Sequence, residues 1–207
     1  MMKSQAYRPR VALDHDAVER TVSHVLERVP PAEFRLVGTA SSVLRRIQIH
    51  AADIDVLFRD RVSVDMWCTA LSPELDVHTT PSWLADSQQY FARLIADGVV
   101  IELSTVELES DLDTIECAGS GPWEHFDVIV CGSSTVPAVA TELRLITEVG
   151  RSREDRYQPI IEYLRAEGCD VPLIERGLAH VGAPRARIDQ ILTELSRDRP
   201  PQPRDIT

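Results

Sequence analysis

Residues 36–42 read Leu-Val-Gly-Thr-Ala-Ser-Ser, and residues 53–57, after a spacer of ten residues, read Asp-Ile-Asp-Val-Leu. The pattern predicts a strand that turns at a glycine, a short helix over 41–47, and a second strand after it. Side chains two residues apart on a strand leave the same face, so Asp53 and Asp55 are expected to point together. Two adjacent carboxylates repel each other, and a divalent cation between them relieves that repulsion. Mg²⁺ fits this arrangement because it takes few protein oxygens and completes its shell with water and phosphate oxygens.

The turn before the aspartates has features suited to a triphosphate. Gly38 permits a close backbone approach, and the hydroxyls of Thr39, Ser41 and Ser42 can donate hydrogen bonds. Peptide N–H groups at the start of a helix attract anions. The residues alone leave an alternative open, in which the two aspartates form the polar face of an edge strand and the glycine makes an ordinary turn.

A further carboxylate lies on a hairpin that the sequence predicts later in the chain. Asp97-Gly98 separates two apolar runs within 89–104, and this dipeptide is a strong hairpin signal. Glu102 interrupts the second apolar run, and an unpaired buried carboxylate is costly. A metal ion would account for it, and a position on the solvent face of a half-exposed strand is the alternative.

These segments together resemble the signature of the DNA polymerase β-type nucleotidyltransferase superfamily. Its pattern is a hydrophobic residue, Gly and a small residue, a spacer, and Asp-x-Asp between hydrophobic residues. Thr39 stands where the superfamily usually has Gly or Ser, and it keeps a hydroxyl. The resemblance implies an α/β fold with a small mixed β-sheet of nucleotidyltransferase type, helices behind it and a C-terminal helical part. It also implies that Asp53, Asp55 and Glu102 are the catalytic and metal-binding residues.

The reaction implied by the resemblance moves a nucleoside monophosphate from an NTP to an acceptor hydroxyl and releases pyrophosphate, with Mg²⁺ or Mn²⁺ as cofactor. The nucleotide-binding residues are then expected to be Gly38, Thr39, Ser41, Ser42, Arg45 and Arg153. Two alternatives stay open: a nucleotidyltransferase fold that has lost catalysis and serves as a binding protein, and the toxin half of a toxin–antitoxin pair.

A second, weaker resemblance concerns the helix at 142–146 and the segment at 151–156. Small bacterial nucleotidyltransferases of the abortive-infection, toxin and antibiotic-modifying type carry lysines in this region. Arg153 stands at the later of those places here, Arg144 or no residue stands at the earlier one, and Lys3 is the only lysine of the chain. Arginine can bind a phosphate through two N–H groups but cannot act as a base at neutral pH.

The composition limits the partners. The 207 residues carry a formal net charge of −11, which argues against a broad grip on a nucleic-acid backbone. An acidic protein favours a cationic small-molecule acceptor, although a tRNA end remains compatible. The four cysteines form no Cys-x-x-Cys pair, which is typical of reduced cysteines in a cytoplasmic protein. No apolar run reaches the roughly 18 residues that a membrane helix needs.

The domain prediction divides the chain into a nucleotidyltransferase core at 1–136, a C-terminal helical region at 137–197 packed on the core, and a flexible tail at 198–207. Pro137 is expected to start the first helix of the C-terminal region, since proline is favoured in a first turn. A loop is expected over 78–86, and a covered strand over 126–131.

Overall fold

The computed structural model describes residues 12–197, and their contacts divide into two compact units. The first unit comprises residues 12–107 and 128–138, and the second comprises residues 108–127 and 139–197. The predicted tail at 198–207 lies outside the described residues.

A seven-stranded mixed sheet spans the described part of the chain, with the strand order β3-β4-β5-β2-β1-β7-β6. The pairs β1/β2, β3/β4 and β4/β5 are antiparallel, and the pairs β2/β5 and β1/β7 are parallel. This sheet, together with the helices given below, confirms the predicted α/β class. The strands are β1 (Phe34–Val37), β2 (Ile54–Phe58), β3 (Asp76–Leu84), β4 (Gln89–Ala96), β5 (Val99–Ser104), β6 (Phe126–Cys131) and β7 (Ser134–Val139).

Three helices belong to the first unit: α1 (His15–Leu26), α2 (Gly38–Leu44) and α3 (Arg61–Leu71). Asp14 caps α1 and Asp60 caps α3, each by accepting a hydrogen bond from a first-turn N–H group. The apolar sides of both helices belong to one hydrophobic cluster with alternate residues of β1, β2, β4 and β5. Trp67 lies at the centre of this cluster, 4.8 Å from the Phe58 ring, and its indole N–H donates to the Pro30 carbonyl oxygen.

Because strand side chains alternate between faces, the residues between these core positions leave the opposite face of the sheet. Asp55 on β2 and Glu102 on β5 are of this kind. The helices therefore fix the orientation of the strands, and the strands in turn fix where the carboxylates point.

The predicted hairpin is confirmed, and the predicted loop before it is wrong. β4 and β5 meet at Asp97-Gly98, whose φ angles of 50° and 83° suit a tight two-residue turn. The segment predicted as a loop forms β3, the edge strand that pairs with β4. Pro81 lies in a stretch with register shifts, and proline is tolerated at an edge strand with a bulge. Pairing with β4 outweighs the polar local sequence of this segment.

Three further boundaries differ from the sequence-based predictions. Helix α2 begins at Gly38, earlier than the predicted start at Ser41. Pro137 lies inside β7, and the next helix begins only at Thr141, because this segment pairs with β1. β6 is an edge strand rather than a covered one, and Val128 and Val130 on it are exposed.

The second unit contains the short helix α4 (Gly121–Glu124) and the longer helices α5 (Thr141–Gly150), α6 (Glu154–Glu167), α7 (Val171–His180) and α8 (Arg185–Ser196). Helix α5 packs against α6 and α7, and α8 packs against both of those helices. Within this unit Arg144 is buried and bonded to two buried carboxylates, those of Glu116 and Glu148.

Among residues 12–197 no helix is long and apolar enough to cross a membrane.

Candidate metal and nucleotide site

The three predicted acids lie together at one place on the sheet. Asp55 is paired with Glu102 across the parallel strands β2 and β5, and Asp53 directly precedes β2. One carboxylate oxygen from each of Asp53, Asp55 and Glu102 lies within 4.8 Å of the other two. All three residues are partly buried, so the cluster is shielded on several sides yet can be reached from solvent.

Gly38 lies against this cluster. β1 pairs with β2 so that Val37 is opposite Asp55, and Gly38 follows at once as the first residue of α2. Its φ is +68°, a conformation that L-residues with a side chain rarely adopt. A Cβ at this position would overlap Oδ2 of Asp55. The glycine is therefore required both by the backbone conformation and by the space that the carboxylate takes.

The hydroxyl residues after Gly38 are more buried than the sequence suggested. Thr39, Ser41 and Ser42 are all buried within α2. The Ser41 hydroxyl donates to the Gly38 carbonyl oxygen at 2.8 Å, so it stabilises its own turn. The Ser42 hydroxyl is buried and makes no hydrogen bond with any residue in the described range.

The two predicted arginines have other contacts. Arg45 donates to the main-chain oxygens of Ser41 at 3.0 Å and of Ala138 at 3.4 Å, and it thus links the end of α2 to β7. Arg153 belongs to the second unit, where its Nε lies 3.8 Å from Glu148 Oε2.

Arg144, the other arginine considered in the sequence analysis, is not available to a phosphate in this arrangement. Its side chain is 2% exposed, and its guanidinium bonds to Glu116 at 2.5 Å and to Glu148. Burial lowers the pKa of Arg144, but the two carboxylates outweigh burial and leave the pKa above its ordinary value. This arginine is a structural cation of the second unit.

Arg93 is a residue of the site that the sequence analysis missed. It lies opposite Glu102 on the antiparallel strand β4, and its Nε and Nη2 donate to Glu102 Oε1 at 3.0 Å and 2.6 Å. The sequence does contain the pattern that places Arg93 opposite Glu102. A two-residue turn at Asp97-Gly98 fixes the register of the hairpin, and counting outward from that turn pairs position 93 with position 102.

The donor set suits a small hard cation. Three carboxylates supply only oxygen ligands, which Mg²⁺ and Mn²⁺ prefer over nitrogen or sulfur. A single divalent cation in contact with all three would remove most of their mutual repulsion. The residues present therefore fit the metal that a nucleotidyltransferase fold implies.

Comparison with solved structures supports the fold. The chain is similar to a "putative nucleotidyltransferase" from Thermotoga maritima, with a TM-score of 0.54 and 15% identity over 75% of this chain and 98% of that chain. A weaker likeness, with a TM-score of 0.47 and 12% identity, covers 89% of this chain and 95% of an antigenic nucleotidyltransferase-like protein from Paracoccidioides brasiliensis. No protein-family model matches the sequence, and no curated protein does. The chain thus has a nucleotidyltransferase-type fold, as the sequence resemblance implied.

Proposed function

We propose that this protein is a metal-dependent nucleotidyltransferase that moves a nucleoside monophosphate from an NTP to an acceptor hydroxyl and releases pyrophosphate. The observation that carries the proposal is the proximity of three carboxylates, one just before β2, one on β2 and one on β5. They lie beside Gly38 at the end of β1, on a sheet of nucleotidyltransferase type. Oxygen clusters of this kind suit divalent ions that act on phosphoryl groups.

Each site residue has a role in the proposal. Asp53 and Asp55 hold the divalent cation, and Glu102 completes the ligand set on the side of the acceptor. Gly38 leaves the space that the Asp55 carboxylate takes, and a side chain at this position would displace that metal ligand. When bound, Mg²⁺ or Mn²⁺ neutralises charge on the attacking and leaving oxygens of the phosphoryl transfer. The protein's share of the rate is then positioning of the two substrates and fixed electrostatics.

The proposed class of acceptor rests on the net charge of the protein and not on a defined pocket. A formal net charge of −11 favours a cationic small molecule, and a tRNA end is the second candidate acceptor. We place the reaction in the cytoplasm, where NTPs and both kinds of acceptor are available.

The experiment follows the labelled α-phosphate. The protein is incubated with each of the four [α-³²P]NTPs and Mg²⁺ or Mn²⁺, once with total tRNA and once with a polar small-molecule extract. We expect label to move to one acceptor pool together with stoichiometric pyrophosphate, and this transfer to be lost in Asp55→Asn.

Asp65→Asn is the matched control, because Asp65 lies on α3 and accepts a hydrogen bond from the Tyr90 hydroxyl in the same unit. This variant loses one carboxylate charge but should retain transfer. The proposal fails if wild-type protein neither transfers the label nor binds any NTP in the presence of metal.

A catalytically silent binding protein is the second candidate function. The observation that favours it is the bond from Arg93 to Glu102, which places a cation at one of the three acids. Metal-dependent NTP binding without transfer to either acceptor pool would support this alternative.

A further inference from the structure

Arg93, Glu102 and Asp55 form a row across three neighbouring strands. Glu102 pairs with Asp55 on its β2 side and with Arg93 on its β4 side. Directly opposite residues on paired strands lie about 5 Å apart and interact across the same face of the sheet. The central carboxylate therefore has another carboxylate on one side and a guanidinium on the other.

The contact between Arg93 and Glu102 fixes one end of that carboxylate. Both hydrogen bonds run to Oε1, and the side chains are 32% and 19% exposed, so the pair is shielded more than an ordinary surface ion pair. The χ angles of a glutamate are restricted when one oxygen is held by two donors of a planar group. Glu102 is thereby held in one orientation in the row.

The same contact changes the charge that a metal ion meets. Arg93 brings a positive charge to the carboxylates of Asp53, Asp55 and Glu102 and so weakens the attraction that they exert on a cation. The phosphates of a bound nucleotide add negative charge and offset that effect.

We infer that Arg93 is a positioning residue that holds Glu102 in the row and limits how tightly the carboxylates bind a divalent cation before the nucleotide arrives. This inference rests on the proposed function, since it takes the three carboxylates as the metal site. Because of Arg93, the site binds a divalent cation more readily together with the nucleotide than alone.

The test measures Mn²⁺ affinity without nucleotide, by electron paramagnetic resonance of free Mn²⁺ and by calorimetry. Arg93→Met removes the charge and keeps an unbranched side chain of similar length. We expect it to bind Mn²⁺ about tenfold more tightly than wild type, because a nearby unit charge contributes about this much even in a water-like dielectric. Arg93→Lys keeps the charge and should restore the wild-type affinity.

Arg61→Met is the matched control. Arg61 also makes two hydrogen bonds to one carboxylate, that of Glu107, which lies beyond the end of β5. Loss of this pair should leave the Mn²⁺ affinity unchanged. If Arg93 only stabilised the structure, its replacement would weaken Mn²⁺ binding. Tighter Mn²⁺ binding in Arg93→Met is therefore not expected from a purely structural role.

The outcomes separate this inference from the proposed function. If folded Arg93→Met binds Mn²⁺ as wild type does, or more weakly, the inference is overturned. The proposed metal site is still supported in that case if wild type binds Mn²⁺ and Asp55→Asn does not. Binding that is absent in wild type and gained in Arg93→Met supports the inference. Absence of binding in both proteins overturns the inference, and the proposed metal site is overturned as well if wild type still binds no Mn²⁺ when an NTP is added.

Discussion

Replacement of Gly38 by alanine tests the packing on which the site depends. The backbone at this residue has φ +68°, and an added Cβ would overlap Asp55 Oδ2 and lie 3.2 Å from Asp55 Cγ. The variant therefore introduces two separate costs. One is the conformational strain of an L-residue, and the other is displacement of the Asp55 carboxylate.

The two costs can be sized and separated. The left-handed conformation costs an L-residue about 1–2 kcal/mol, and one extra methyl group in a packed site costs about 1–3 kcal/mol more. Gly182→Ala provides the reference, because Gly182 has φ +75° and open space where the Cβ would stand. We expect Gly182→Ala to lower the free energy of unfolding by the first amount alone, and Gly38→Ala to lower it by the sum.

The assay is urea denaturation at neutral pH, combined with Mn²⁺ titration of the folded proteins. Gly38→Ala should weaken Mn²⁺ binding about 10- to 100-fold, the usual effect of disturbing the support of a metal ligand. Gly182→Ala should bind Mn²⁺ as wild type does. Equal destabilisation of the two variants, with Mn²⁺ affinity retained in Gly38→Ala, would refute the close packing of Gly38 against Asp55.

Three further predictions concern stability and reactivity. Arg144→Met removes the buried cation that Glu116 and Glu148 share, so it should lower the free energy of unfolding by about 3–5 kcal/mol at pH 7. Urea denaturation checks this, and an unchanged midpoint would contradict the role of Arg144 as a structural cation. The hydrogen bond from Arg61 lowers the pKa of Glu107 from its ordinary value of 4.5. The stabilisation by this pair is therefore fully present above that pH and is lost as the pH falls through the lower, folded-state pKa. The unfolding midpoint of Arg61→Met should accordingly lie below that of wild type at pH 7 and match it at pH 2, and a difference that persists at pH 2 would contradict the assignment. Burial raises the pKa of the Cys68 and Cys131 thiols. At pH 7.5 these two thiols should therefore react with a thiol reagent only as fast as the protein opens, which mass spectrometry of labelled peptides would measure. Rapid labelling of either thiol in the native protein would contradict its burial.

Much of the first unit could be predicted because short-range patterns dictate it. The glycine turn, the Asp-x-Asp strand and the Asp-Gly hairpin are each local features, and the α/β class follows from them. The proximity of Glu102 to Asp55 was predicted only through the family resemblance. No local pattern states that β2 and β5 are parallel neighbours, since their pairing brings together residues far apart in sequence.

The errors fall where long-range contacts outweigh local signals. The segment that forms β3 reads as a loop because of its polar residues and Pro81, and only its pairing with β4 makes it a strand. Pro137 has the local features of a helix start, but pairing between β7 and β1 keeps it extended. The resemblance presented Arg144 as a possible phosphate-binding residue, and its burial depends on Glu116, which is remote in the sequence.

The most direct test of the account is a thermal-shift measurement with ATP, GTP, CTP and UTP, with and without Mg²⁺ or Mn²⁺, on wild type and Asp55→Asn. A nucleotide at about 100 times its Kd adds roughly 2.7 kcal/mol to the free energy of unfolding, which raises the Tm by a few degrees for a chain of this size. The account predicts such a shift for at least one NTP, only with metal present, and its loss in Asp55→Asn. A shift that needs no metal, or one that Asp55→Asn retains, would contradict the account.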